Sequence, residues 1–185
     1  AGEDRHFTAG DKRTIVRYKD WNICLQVCYD LRFPVWSRNV DNEYDLLIYV
    51  ANWPEARKKV WKTLLQARAL ENMAYVCGVN RVGIDGKGFV IGDSMIFSPK
   101  GKKLADAGKR EEVTRTCTLT RADLEDLRTK FPAWKDADLF DIKVKRNETS
   151  VNRLQNLIIH QDFSKKQDCP NDRTLFRPYG VLSLG

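Results

Sequence analysis

Residues 24 to 34 read Cys24-Leu25-Gln26-Val27-Cys28-Tyr29-Asp30-Leu31-Arg32-Phe33-Pro34, placing a thiol where an apolar strand breaks into a turn and then a proline-started helix. A thiolate is a good nucleophile, and a neighbouring base or positive charge raises its ionised fraction near neutral pH. Cys28 is therefore the first candidate for covalent chemistry. The run from Trp21 alternates Ile23, Leu25 and Val27 on one side with Asn22, Cys24, Gln26 and Cys28 on the other, the two-residue period of a strand. Cys28 is its last member, and the carboxyl end of a strand opens onto the crevice where α/β sheets hold their ligands. The competing reading is a small apolar filler, since free cysteine is among the most buried residue types.

A second cluster stands at Asn52-Trp53-Pro54, which ends the strand expected beside the cysteine strand. Asn52 and Trp53 read either as site residues or as turn chemistry with a packed aromatic. Asp30 and Arg32 read as an internal ion pair that shapes the turn after the thiol. His6 and His160 would suit a Cys-His hydrolase, but neither has local context tying it to Cys28. Lys12 and Lys19 flank an expected hairpin and read as solvated.

The elements that must position these residues follow from pattern. Thr14 to Tyr18 and Trp21 to Cys28 flank Lys19-Asp20, a hairpin signal. Tyr44 to Ala51 is nearly continuous in apolar residues, as expected of a strand covered on both faces. Pro54 and Glu55 then open a helix to about Met73. Its Val60, Trp61, Leu64, Leu65, Arg68 and Asn72 recur at three- and four-residue steps, and Arg68 and Glu71 are expected to lock it to the sheet. Ala74 to Arg81, Val90 to Ser98 and Val113 to Leu119 read as strands. The glycines from Gly83 to Gly88 lack the Gly-Lys-Ser/Thr signature of a phosphate loop and read as a hairpin turn. Pro99 to Lys102 makes another turn. Thr120 caps a short helix to Lys130, with Asp123 placed as in a capping box.

Composition bounds the rest. A chain of 185 residues buries one core, with an appendage. The net charge of +7 comes without basic runs interleaved with aromatics, so nucleic acid is not expected as a partner. The five cysteines form no Cys-x-x-Cys pair, and no histidines stand at ligand spacing, which argues against metal. No signal peptide or long apolar stretch is present, so the expectation is a soluble cytoplasmic protein with no membrane contact. Beyond Phe140 the texture turns polar, and residues 141–185 stand as an unassigned tail: a docked arm, a disordered segment or sequence foreign to the domain.

Four phrases together resemble the nitrilase, or carbon-nitrogen hydrolase, superfamily: Val27 to Pro34, Tyr49 to Pro54, Ala67-Arg68-Ala69-Leu70-Glu71-Asn72, and Gly92-Asp93-Ser94. Phe131 to Asp138 adds a closer resemblance to its omega-amidase-like branch. The resemblance covers about residues 1–140. It implies an α/β fold of layered α+β type, the C-terminal part of an α-β-β-α sandwich. It also implies a Glu-Lys-Cys catalytic set without metal or organic cofactor, and pairing into homodimers. On that pattern Cys28 attacks an amide carbonyl and the backbone N–H of Tyr29 helps hold the oxyanion. The family's glutamate serves as general base and acid. The glutamate and lysine motifs precede the cysteine in the family and are not found here, so the chain resembles only the second half of the domain. Glu3, Lys12 and Lys19 are not assigned catalytic roles.

The resemblance thus implies a thiol amidase acting on a small linear carboxamide, a keto-acid omega-amide, with release of ammonia. Arg57 would offer a bidentate cation for the distal carboxylate of such a substrate, or stand as an exposed helix residue beside Lys58 and Lys59. The alternatives are a non-catalytic remnant or packing partner and an amidase of the deaminated-glutathione type. Nitrile hydrolysis rests on superfamily membership alone.

Overall fold

The computed structural model describes residues 2, 5–8, 10, 12–85 and 88–138. The tail expected at 141–185, with His160 and Cys169, lies outside the described residues. Within them run β1 (Thr14–Tyr18), β2 (Trp21–Val27), β3 (Leu46–Ala51), α1 (Lys58–Asn72), β4 (Tyr75–Asn80), β5 (Val82–Asp85), β6 (Gly88–Ile91), β7 (Met95–Phe97), β8 (Lys103–Asp106) and α2 (Arg121–Lys130). Single 3-10 turns span Cys28–Arg32, Glu55–Arg57 and Ala133–Asp136. Six strands form one sheet in the order β1-β2-β3-β4-β7-β8, and β5 and β6 form a separate hairpin. β2, β3 and β4 are parallel, while β1, β7 and β8 pair antiparallel. The fold is α/β, as expected.

Local chemistry explains the chain reversals. The β1–β2 hairpin turns at Lys19, whose φ of 53° is the left-handed value that tight hairpin turns require. α1 starts after the 3-10 turn that follows Pro54. It ends where Met73, at φ 47°, returns its N–H to the carbonyls of Ala69 and Leu70. Trp61, Leu65, Arg68, Ala69 and Asn72 form its buried face. The helix lies close on β4 because Gly78 has no side chain: a Cβ there would come within 2.7 Å of the Trp61 ring and would also meet Leu65.

Two cores flank the sheet. On one face Cys24, Leu47, Tyr49, Val76 and Phe97 pack under Trp61 and Leu65 of α1. On the other, Trp21, Ile23, Leu46, Tyr75 and Ile96 pack with Leu119 and Leu124 at and within α2. That second face is covered only in part. Leu25, Val27 and Val50 are 42%, 61% and 51% exposed, while Cys24 and Gln26 on the opposite face of β2 are 0% and 4% exposed. Beyond Ile23 the apolar side of β2 is thus the open side and the more polar side the buried one, the reverse of the usual pattern for a half-covered strand, while Trp21 and Ile23 on that apolar side are buried.

Several expectations change. Val113 to Leu119 runs without a ladder partner among the described residues and is held by Leu119, which enters the second core. The single strand expected over Val90 to Ser98 breaks between β6 and β7 at Gly92 and Asp93, both at positive φ (78° and 56°). Thr120 precedes α2 but makes no side-chain cap. The Tyr75 hydroxyl instead donates to the Thr120 carbonyl (3.0 Å) and accepts from its N–H (3.3 Å). Asp30 and Arg32 serve different partners instead of each other. Asp30 accepts the Val27 N–H at 2.9 Å, and Arg32 lies 5.5 Å over the Trp53 ring. No helix among the described residues is long and apolar enough to cross a membrane.

α2 is tied down by a buried carboxylate. Asp45 receives Arg128 (2.8 Å), Arg121 (3.0 Å) and the N–H of Asn22 (3.0 Å). Removing a partner from a buried ion pair leaves an uncompensated charge and costs about 3 kcal/mol, whereas a more exposed partner is worth about 1 kcal/mol or less. Arg128→Met is therefore expected to lower the unfolding free energy in urea by about 3 kcal/mol, and Arg121→Met by markedly less. Equal losses in the two variants would contradict this ranking.

Candidate active site

The register of the parallel strands sets the site. Val27 pairs with Val50 and Ala51 with Asn80, so β2, β3 and β4 finish level and Cys28, Asn52 and Arg81 follow at one edge of the sheet. This is the edge where α/β sheets place their ligands.

Cys28 is half-buried and sits at φ 42°. A non-glycine residue held in that region costs about 1–3 kcal/mol and persists only where its surroundings over-determine it. They do so here. The Asp30 carboxylate accepts the Val27 N–H, and the Phe33 N–H closes back onto the Asp30 carbonyl at 2.9 Å. Buried Arg68 donates to the Leu31 carbonyl at 2.7 Å and pairs with Glu71 at 2.9 Å. Arg68 thus locks α1 to the turn after the thiol, a more specific role than the sheet contact expected. Beneath lies a polar floor: the Ser37 hydroxyl donates to Gln26 Oε1 (2.9 Å) and lies 2.7 Å from the Tyr49 hydroxyl.

The Cys28 thiol faces the Asn52 carbonyl, with Sγ 3.9 Å from the oxygen. The Tyr29 side chain is exposed and packs edge-on against Phe33 at 5.2 Å. Its backbone N–H belongs to the first turn of a 3-10 helix, where N–H groups lack intrahelical partners. Asn52 Oδ1 accepts from Arg81 Nε at 2.8 Å. Trp53 is buried, its ring 5.5 Å from that of Trp61, and its indole N–H donates to the Arg57 carbonyl at 2.9 Å. Two guanidiniums lie over the Trp53 ring, Arg32 at 5.5 Å and Arg57 at 5.9 Å, within the range of cation–π attraction.

The structure therefore brings Cys28, Tyr29, Asn52, Trp53 and Arg57 into one neighbourhood and adds Arg32, Asn80 and Arg81, which sequence reasoning missed. Asn80-Arg81 follows an apolar strand just as Asn52-Trp53 does, and that parallel was the available signal. His6, Lys12 and Lys19 are exposed. Among the described residues no group of three His, Cys, Asp or Glu side chains could hold a metal ion.

Burial separates the thiols. It pushes Cys24 up to about 11 and Cys77 up to about 12, and it raises Cys117 as well. A thiol with a raised pKa stays protonated near neutrality and reacts slowly. Iodoacetamide at about pH 8 is therefore expected to label Cys28 well before Cys24 and Cys77, read by peptide mass spectrometry. Labelling of Cys24 or Cys77 at the Cys28 rate would contradict this environment.

The carbon-nitrogen hydrolase family model matches residues 2–129. The chain is 52% identical over 141 residues to the omega-amidase YafV of Escherichia coli strain K12, covering 76% of this chain and 55% of that protein. It is 37% identical over 151 residues to a 2-oxoglutaramate amidase of Paenarthrobacter nicotinovorans, covering 78% and 51%. The crystal structure of XC1258 from Xanthomonas campestris, a CN-hydrolase superfamily protein with an arsenic adduct in its active site, aligns with a TM-score of 0.68. That alignment has 41% identity and covers 74% of this chain and 54% of the other. The chain spans about half the length of the curated relatives it matches. With most of its described residues inside one family match, and half-identical to a curated member over three quarters of its length, the chain belongs to the carbon-nitrogen hydrolase family.

Proposed function

We propose that this chain carries the nucleophile-bearing part of a thiol amidase that converts a keto-acid omega-amide to the keto acid and ammonia. The observation that carries the reading is the Cys28 thiol, held at a left-handed turn on the level ends of three parallel strands and facing the Asn52 carbonyl. The relatives named omega-amidase and 2-oxoglutaramate amidase support the substrate class.

In this reading the Cys28 thiolate adds to the amide carbon, and the carbonyl electrons move to oxygen, which the Tyr29 N–H stabilises. Collapse breaks the C–N bond, a proton passes to nitrogen, ammonia leaves and a thioester remains. Water then adds to the thioester, and the C–S bond breaks to give the carboxylic acid and the free thiol. The proton carrier and the cation that joins the Tyr29 N–H at the oxyanion are the glutamate and lysine of the family set, which this chain does not match. The Asn52 carbonyl accepts an N–H of the substrate carboxamide. Trp53 acts as a platform that holds Arg57, and Arg57 receives the distal carboxylate. The complete protein works as a homodimer in the cytoplasm, a compartment supported by four free cysteines among the described residues.

The open apolar face at Leu25, Val27 and Val50 favours a second reading of the isolated 185-residue chain as a packing partner without turnover of its own. A chain that sediments as a monomer and releases ammonia from a keto-acid amide would overturn that second reading.

Joined to the remaining portion of the domain, the protein is expected to release ammonia from a keto-acid omega-amide, and Cys28→Ala to lower that rate by about 10³ or more. Retention of the rate would remove the nucleophile assignment. Arg57→Ala is expected to raise KM for the keto-acid amide by about tenfold and leave an uncharged aliphatic amide unaffected. An unchanged KM would remove Arg57 from the site.

A further inference from the structure

We propose that Asn80 and Arg81 form a two-armed clamp that positions the turn against which the Cys28 sulfur is held. The inference rests on the reading of Cys28 as nucleophile.

Asn80 ends β4 and is buried. Its carboxamide oxygen accepts the Trp53 N–H at 2.7 Å, and its carboxamide nitrogen donates to the Trp53 carbonyl at 3.2 Å and to the Gly92 carbonyl at 2.8 Å. The Asn80 backbone is fixed in turn by Ser94, whose hydroxyl accepts the Asn80 N–H at 2.9 Å and donates to its carbonyl at 3.1 Å. Arg81 supplies the other arm. Its N–H bonds the Ala51 carbonyl at 3.1 Å and its Nε bonds Asn52 Oδ1 at 2.8 Å.

Residues 51 to 53 are therefore gripped from both sides: Ala51 and Asn52 by Arg81, and Trp53 by Asn80. The Asn52 carbonyl that faces the thiol lies in the middle of this grip and has little freedom to rotate. A loop outside regular structure would otherwise leave these backbone groups to water. The carboxamide is suited to the task because it presents one acceptor and a two-hydrogen donor at once. An aspartate in its place would turn an oxygen toward the carbonyls of Trp53 and Gly92.

The consequence for the thiol has a definite sign. The Asn52 carbonyl lies against the sulfur, so the fixed turn restricts the approach of a reagent to it. Releasing the turn should make Cys28 more reactive toward a small alkylating agent even as it loses its place for an amide.

The test is site-resolved iodoacetamide labelling of the full 185-residue chain, with the Cys28 rate referred to that of a free cysteine peptide in the same tube, together with hydrogen exchange at the Trp53 amide. Asn80→Ala and Arg81→Met are expected to raise the relative Cys28 rate by about threefold or more, the factor that one hydrogen bond of ordinary net worth supplies. Faster exchange at Trp53 should accompany it. Leu124→Ala, a cavity in the other core, is the control for general loosening and should leave both readouts near wild type. If Asn80→Ala does not fold, Arg81→Met, altered at a half-buried position, carries the comparison alone. Wild-type labelling and exchange in the variants that fold, or an equal rise in Leu124→Ala, would overturn the clamp. An amidase rate that survives Cys28→Ala would overturn the nucleophile reading instead, and these labelling ratios do not depend on it.

Discussion

The parallel ladder through β2, β3 and β4 is the constraint on which the remaining geometry depends. Because Val27 stands beside Val50 and Ala51 beside Asn80, the chain has to leave the sheet at Cys28, Asn52 and Arg81 along one edge. A one-residue slip of β2 would send Cys28 to the opposite face, since side chains alternate with a period of two. The register is defended from below by the buried face of β2, where Cys24 lies in the core under α1 and Gln26 reaches Ser37 and the Trp36 carbonyl. A shift would bury Leu25 and Val27 against that polar floor and leave the Gln26–Ser37–Tyr49 bonds unmade, each costly in a buried setting.

The left-handed turn at Cys28 is a second consequence. Strain of this kind survives only where the neighbours fix it, and here Asp30 holds the strand end, Arg68 holds Leu31, and Leu31 itself is fully buried. The long helix therefore does two tasks. It covers one sheet face through Trp61 and Leu65, and it carries the guanidinium that pins the turn following the thiol. Gly78 allows both by letting the helix approach β4 closely.

Much of this was legible in the sequence where the signal is local. The Lys19-Asp20 hairpin, the apolar β3, the periodic inner face of α1 and the Gly83–Gly88 hairpin all follow from turn chemistry and period. Cys28, Asn52 and Trp53 were legible as strand-end residues, and the family motifs grouped them. What stayed hidden depends on partners distant in the chain. Thr120 carries a cap residue's chemistry, yet Tyr75, 45 residues earlier, takes its backbone groups. Val113 to Leu119 alternates like a strand but has no ladder partner among the described residues. The alternation in β2 predicts a strand, but it does not say that the apolar side opens beyond Ile23, because coverage is a property of whatever lies opposite. Asn80 and Arg81 close an apolar strand as Asn52 and Trp53 do, a parallel whose meaning depends on the strand ends lying side by side.

The central claim is that one sulfur, set by three level strand ends, forms the bond to the substrate. It is tested most directly by quenching single-turnover reactions with a keto-acid omega-amide in acid, using protein that carries the remaining portion of the domain, and weighing the proteolytic peptides. The account predicts an acyl mass on the peptide containing Cys28, formed as fast as ammonia appears. Ammonia released at full rate with no acyl mass on that peptide, or with the mass on another residue, would contradict it.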